Sequence, residues 1–131
     1  MPQLSLSTGR ALKIVFPPDG RRIAFMLNDP VDRSIQMAVI PADGGKPVKR
    51  AKVPGLGPMH WTPAGDEVAY IRNDNGVDNL WAQPVGSGAA RQITRFREGR
   101  IYQFAWSWSG KQLALVRGNT TSDAVLIRPA R

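Results

Sequence analysis

The sequence predicts an all-β protein built from a repeated unit of short antiparallel strands. A motif recurs every 45 residues, and each copy contains apolar runs of about 4 to 8 residues rich in Val, Ile, Phe, Tyr and Trp. Turn-forming residues separate these runs, with 13 Gly and 11 Pro among 131 residues. Short strands joined by tight turns explain this pattern, so helices should be nearly absent.

Each copy of the repeat begins with an aromatic residue, passes through a turn and continues into an apolar triplet. In the first copy the turn reads Pro17-Pro18-Asp19-Gly20, where proline presets φ and glycine supplies the positive φ that reverses the chain. The equivalent positions are Phe16, Trp61 and Trp106 for the aromatic residue, Gly20, Gly65 and Gly110 for the glycine, and Ile23-Ala24-Phe25, Val68-Ala69-Tyr70 and Leu113-Ala114-Leu115 for the triplet.

We interpret each unit as four strands, which in the middle unit span 56–61, 67–72, 78–83 and 90–94. The dipeptide Asn75-Gly76 should form the hairpin turn between the second and third of these strands. The triplet is apolar at adjacent positions, so both faces of its strand should be buried and its sheet needs a neighbour on each side. A period near 45 residues with four strands per unit is typical of β-propeller blades, so we expect about three four-stranded antiparallel blades.

The units divide the chain into parts. Residues 1–9 are predicted to be the outer strand of a preceding blade, 10–55 and 56–99 two blades, and 100–131 three strands of a last blade. Propellers close with roughly 4 to 8 blades, so three cannot complete the ring. We therefore expect the C-terminal part of a longer propeller, with further blades or a protein partner beside it, or self-association of two chains into one closed ring.

The repeats resemble those of WD40-like, TolB-type β-propellers. The family pattern of an aromatic residue, a Pro-Asp-Gly turn, a basic residue and an apolar-Ala-aromatic triplet appears at 16–25 and in part at 61–70, and later elements appear as Leu80-Trp81, Gly44-Gly45 and 91–94. The last unit resembles the final blade of propellers attached to bacterial serine/threonine kinases and winged-helix regulators. This resemblance implies a binding or sensing module with no catalytic residues to transfer. Relatives are often periplasmic or attached to membrane kinases, and the compartment of this chain is left unassigned.

Composition excludes several kinds of site. The chain has no Cys and one His, so a disulfide framework, a thiolate metal site and a cluster of imidazole ligands are all ruled out. No nucleophile elbow and no phosphate-binding glycine loop occurs, and no apolar run approaches the eighteen residues of a membrane helix. We therefore expect no enzyme activity, catalytic residue, metal or cofactor, and no membrane span.

The candidate binding residues are one histidine and a group of arginines. His60 precedes Trp61 at the end of an inner strand, near the channel where propellers commonly bind ligands, although a single histidine is more often structural. The basic group lies on or just after an outer strand and consists of Arg91, Arg95, Arg97 and Arg100. Exposed charges on an outer strand prevent edge-to-edge aggregation. We favour this role for the arginines over nucleic-acid binding, because few aromatic residues lie between the charges.

The expected function is a non-catalytic protein-interaction or sensing module. Two alternatives stay open. One is the propeller portion of a hydrolase of the prolyl oligopeptidase type. The other is a basic surface that binds polyanions, since the formal net charge is +8.

Overall fold

Antiparallel strands form three sheets in the computed structural model, which describes residues 10–15, 20–29, 31–44, 46, 48–54, 57–119 and 123–129. Within these ranges there is no helix, and thus none that could cross a membrane. The expected all-β fold is confirmed. The strands are β1 (Arg10–Val15), β2 (Arg22–Asn28), β3 (Ile35–Pro41), β4 (Lys49–Lys52), β5 (Met59–Trp61), β6 (Glu67–Asp74), β7 (Val77–Pro84), β8 (Arg91–Gln92), β9 (Arg100–Trp106), β10 (Gln112–Gly118) and β11 (Asp123–Pro129).

Each sheet is an antiparallel meander in which strands that follow one another in sequence pair side by side. The first sheet has the order β1-β2-β3-β4, the second β5-β6-β7-β8 and the third β9-β10-β11. This arrangement matches the expected four, four and three strands of the successive units. The strand predicted at 1–9 lies outside the described residues.

The outer strand of the second sheet is shorter than predicted. We expected it at 90–94, but only Arg91 and Gln92 pair with β7. Beyond them, the Ile93 N–H still donates to the Leu80 carbonyl at 2.8 Å, and side chains add further bonds: the Thr94 hydroxyl donates to Asn79 Oδ1 at 2.8 Å and accepts from the Leu80 N–H at 2.9 Å. The Phe96 N–H also donates to Asn79 Oδ1, at 2.6 Å. These buried polar groups are satisfied, so the outer segment stays attached without strand geometry.

The turn between β6 and β7 is the one that the sequence predicts. Asn75 and Gly76 have φ of 54° and 85°, the pair of positive values that a type I′ hairpin turn requires. Asp74 and Val77 pair directly on either side of it. The prediction of a hairpin at this dipeptide is confirmed.

Apolar faces join the first two sheets. Their shared cluster combines Ala24 and Met26 of β2 with Met59 and Trp61 of β5, and Val68 of β6 lies in the same cluster. All five are buried. The opposite face of β2, which carries Ile23, Phe25 and Leu27, is buried as well. Both faces of the first triplet are therefore covered, as the sequence predicts.

The second and third sheets are joined in the same way. Ala69 of β6 and Leu80 of β7 share a cluster with Phe104 of β9 and with Leu113 and Leu115 of β10. Ala69 and Leu80 are fully buried there. The expectation of two buried faces fails only for the third triplet, where Ala114 on the far face is partly exposed.

Gly110 should tolerate alanine less well than Gly20 does, although both occupy the same turn of the repeat. Both have positive φ, of 74° and 68°, so alanine should cost each about 1 kcal/mol of backbone strain. A Cβ at Gly110 would also lie 2.8 Å from the Pro63 Cβ, whereas one at Gly20 meets no atom within 4 Å. We expect Gly110→Ala to lose roughly a further 1 kcal/mol or more. Urea unfolding followed by tryptophan fluorescence measures both variants, and equal losses would contradict the contact.

Candidate functional site

The interface between the second and third sheets has three zones along the strands. A polar clamp around Asp78 closes the end where β7 and β9 begin. The apolar cluster around Phe104 fills the middle. At the other end, where β9 ends at Trp106, the two sheets leave an open cleft. The interface is thus tightly fixed at one end and accessible at the other.

Asp78 is the centre of the clamp. Its Oδ2 accepts hydrogen bonds from the Ile101 N–H at 2.8 Å and from Arg100 Nε at 3.0 Å. Its Oδ1 accepts from Asn73 Nδ2 at 2.8 Å, and its own N–H donates to the Gly99 carbonyl at 3.0 Å. The carboxylate side chain is only 4% exposed. One buried residue therefore ties the second sheet to both backbone and side chain of the third.

The environment of Asp78 favours its ionised form. Burial alone would raise the pKa of its carboxyl group, but hydrogen bonds from Asn73, Ile101 and Arg100, together with the charge of Arg100, outweigh burial and lower the pKa. The ionised carboxylate then stabilises the fold. This contribution is complete above the unfolded pKa of about 3.9 and is lost as the pH falls through the lowered folded pKa.

The cleft encloses about 700 Å³. Its floor is apolar and includes Ile93, Trp106 and Leu113. The turn between β5 and β6 forms one wall and contributes Pro63 and Asp66. Gly110 from the turn of the third sheet, together with Glu67, Arg91, Arg128 and Pro129, completes the lining. A cleft of this size that combines apolar side chains with converging polar groups is a common form of ligand site.

Glu67 and Arg91 form a bidentate ion pair in the wall of the cleft. Arg91 Nε and Nη2 donate to the two carboxylate oxygens of Glu67, each at 2.7 Å. The hydrogen bond to Glu67 raises the pKa of Arg91 against partial burial, and the charges of Glu67 and Asp66 add to this effect. The charge of Arg91 is therefore neutralised within the wall.

The candidate binding residues that were identified from the sequence lie in several different parts of the structure. His60 is partly buried, and its ring meets the ring of Phe104 edge-on at 5.0 Å within the interface. Arg91 lines the cleft and Arg100 belongs to the Asp78 clamp. Arg95 Nη1 donates to the Gln92 carbonyl of its own segment at 3.3 Å, and Arg97 is exposed. These residues do not form one basic patch.

Most of the cleft carries no signal in the sequence. Trp106 stands out there only as the aromatic position of the repeat, and Asp66, Glu67 and Arg128 belong to no motif. Among the described residues no group of three or more His, Cys, Asp or Glu is placed to hold a metal ion. The cleft presents an aromatic ring and charged side chains to a ligand.

Comparison with known proteins bears on the fold. No protein-family model matches the chain. The uncharacterized protein YidR of Escherichia coli (strain K12) is 34% identical over 71 residues, which are 51% of this chain and 17% of that protein. The chain thus spans a small part of the length of its curated relative.

Solved structures with the same architecture cover almost the whole chain. The β-propeller domain of the Trilobed protease from Pyrococcus furiosus superimposes with a TM-score of 0.67, at 12% identity, over 95% of this chain and 40% of that one. The chain has a β-propeller fold. TolB from Acinetobacter baumannii gives 0.64 at 19% identity over 88% of this chain and 29% of its own. Prolyl oligopeptidase B from Galerina marginata gives 0.74 at 15% identity over 91% and 20%. The resemblance to TolB-type propellers is thus confirmed at the level of the fold.

Replacing Asp78 by asparagine should loosen the clamp. Asp78→Asn removes the charge that Arg100 and the Ile101 N–H bind, and we expect a loss of roughly 2 kcal/mol in the free energy of unfolding at pH 7. The wild-type free energy should fall below about pH 4, and the variant should lack that part of the fall. Urea titrations at several pH values measure this. Asp74→Asn in the same hairpin is the control, because its exposed pair with Arg72 contributes at most about 1 kcal/mol. Parallel pH profiles for wild type and Asp78→Asn would refute the role of the carboxylate.

Proposed function

We propose that this chain is a non-catalytic protein-interaction module whose contact surface is the outer face of the third sheet. This open face carries Ala105 on β9, Ala114 and Val116 on β10, and Val125 and Ile127 on β11, with the polar Gln103 of β9 beside Val116. Paired residues of neighbouring strands share a face, and Val116 pairs with Val125 while Ala114 pairs with Ile127. Val125 and Ile127 are 69% and 60% exposed. A contiguous exposed apolar surface of this kind marks an interaction site.

The repeat indicates what should cover the open face. Ala69, Leu80 and Ala82 stand 45 residues before Ala114, Val125 and Ile127, and all three are 0% exposed. Ala69 and Leu80 are covered by the third sheet itself. The partner chemistry that fits is therefore another β-sheet, whose face carries large apolar side chains as Phe104, Leu113 and Leu115 do.

The far face of the first sheet does not offer a second surface of this kind. Ile23, Phe25 and Leu27 on that face are buried. Among the described residues, the open apolar sheet face thus lies on one side of the molecule only. This asymmetry favours one partner sheet beside the third sheet, supplied by a further blade, by another protein or, in a pure solution, by the third sheet of a second copy.

Charge on the open face should abolish self-association. The double variant Val125→Lys/Ile127→Lys changes two exposed side chains, so it should fold, but a dimer would have to bury its ammonium groups without partners. We expect sedimentation equilibrium to show concentration-dependent dimers for the wild type and a 14.4 kDa monomer for the variant. Val31→Lys, at an apolar residue that is 91% exposed in a turn, is the control and should behave as wild type. A monomeric wild type at every concentration, or unchanged dimers of the double variant, would contradict the proposal.

A second candidate is the propeller portion of a hydrolase, which the fold shared with prolyl oligopeptidase B favours. In that case the hydrolytic residues lie outside these 131 residues. Under either proposal the chain alone should not cleave Z-Gly-Pro-p-nitroanilide above the buffer rate. The release of p-nitroaniline measures cleavage. Cleavage that disappears in His60→Ala would overturn the non-catalytic assignment.

The geometry supports the polyanion alternative less well. Arg91 and Arg100 bind Glu67 and Asp78, so their charges are already compensated. Arg95 and Arg97 are exposed, as residues that keep an outer strand from aggregating should be. Affinity for heparin that falls steeply with salt would be the signature of polyanion binding.

A further inference from the structure

The repeat provides a comparison between two interfaces of the same molecule. Arg22 at the start of β2 and Glu67 at the start of β6 are equivalent, 45 residues apart. Arg22 lies against Trp61 of the second sheet, and Glu67 lines the cleft together with Trp106, the equivalent of Trp61 in the third sheet. At this position the first interface therefore has a positive charge near its tryptophan, from Arg22, and the second interface has a negative charge, from Glu67.

An arginine closes this end of the first interface. The Arg22 guanidinium lies over the Trp61 ring, with 5.3 Å between its Cζ and the ring centroid. Arg22 Nη2 also donates a hydrogen bond to the Gly65 carbonyl in the turn that follows Trp61. Stacking on an aromatic face combined with hydrogen bonding to a carbonyl is a favourable environment for a guanidinium.

At the equivalent place in the second interface, the described residues supply no stacked guanidinium. Glu67 binds Arg91 instead, and in the described part of the chain no cation stacks on Trp106. The Gly110 carbonyl, equivalent to that of Gly65, receives no hydrogen bond from any described residue. The lining of the cleft of about 700 Å³ includes Glu67, Trp106 and Gly110, which are equivalent in the repeat to Arg22, Trp61 and Gly65. Its components match those that hold Arg22, but the arginine is missing.

We propose that the cleft binds an arginine side chain of a partner protein. The guanidinium would stack on Trp106, donate to the Gly110 carbonyl and pair with the exposed carboxylate of Asp66. Asp66 lines the cleft, and within the described residues its Oδ1 accepts one hydrogen bond, a long one of 3.4 Å, from the Thr62 hydroxyl. Arginine suits the site better than lysine, because its planar group can stack and donate at once.

Two cations of the lining are compatible with this ligand. Arg91 is neutralised by Glu67. Arg128 is exposed and lies two strands away from Trp106, since both residues pair with Leu113 from opposite sides. Its long side chain can extend into solvent. The opposite possibility, an anionic ligand drawn by Arg91 and Arg128, is a distinct outcome of the experiment below.

The inference rests on the proposed function as a protein-interaction module and names a side chain that the partner contributes. The probe is the peptide Ac-Gly-Arg-Gly-NH2, titrated into the full chain while the Trp106 indole N–H resonance is followed by NMR. A Trp106→Phe variant identifies that resonance. Ac-Gly-citrulline-Gly-NH2 has the same shape without the charge, and we expect it to bind roughly ten-fold more weakly. Ac-Gly-Glu-Gly-NH2 should leave the resonance unchanged.

Three variants test the contacts. Asp66→Asn should weaken binding of the arginine peptide about three-fold, while Asp43→Asn, at an exposed carboxylate in the turn after β3, is its matched control and should not. Trp106→Leu should weaken binding about five-fold, detected through the Gly110 amide. Glu67→Arg restores the arginine of the first interface and should abolish binding by filling the cleft.

The outcomes separate the two proposals. Equal binding of the arginine and citrulline peptides, preference for the glutamate peptide, or undiminished binding in Glu67→Arg would each overturn the inference about the cleft. None of these results affects the open face, which the Val125→Lys/Ile127→Lys variant tests through self-association. If that variant behaves as wild type while the arginine peptide binds as expected, the open face is wrong and the cleft stands.

Discussion

Contact between the faces of neighbouring sheets is the interaction on which the whole molecule depends. Hydrogen bonds along the strands hold each meander together, but a single sheet has no way to bury both of its apolar faces. Ala24 and Ala69 recur at the centre of this contact and are fully buried. Their small side chains leave room for large neighbours such as Trp61 and Phe104 on the facing sheet. The sequence motif therefore recurs once per sheet, because every sheet must supply the residues for this contact.

The same contact explains why the fold could be predicted from sequence and the strand ends could not. The triplets carry a strong signal because both of their faces must be apolar. Outer strands lack that requirement, and the segment after Gln92 leaves the regular ladder and is held largely by the side chains of Asn79 and Thr94. The sequence alone does not show whether a polar residue in a predicted strand will bond to the next strand through its backbone or through its side chain.

The candidate site was harder to predict for a physical reason. His60 and the arginines were selected by residue type, whereas the cleft is formed between two repeats by turns, an outer strand and the end of β11. No local pattern contains it. The sequence did carry one signal, the change from Arg22 to Glu67 at equivalent positions, but its meaning depends on the facing tryptophan. The role of Arg100 was likewise hidden, because its partner Asp78 follows a turn in the sequence, where burial is not expected, yet is 3% exposed in the structure.

The unequal ends of the second interface have a mechanical consequence. The Asp78 clamp joins β7 to β9 through several hydrogen bonds, whereas at the opposite end the turns that carry Pro63 and Gly110 approach closely with no hydrogen bond between them among the described residues. A rotation of the third sheet about the clamp end would therefore break fewer polar bonds than one about the cleft end. A strand of seven residues is about 23 Å long, so a tilt of about 5° would move its far end by about 2 Å. The buried cluster around Phe104 lies between the two ends and opposes such a tilt, so the width of the cleft depends on the packing of that cluster.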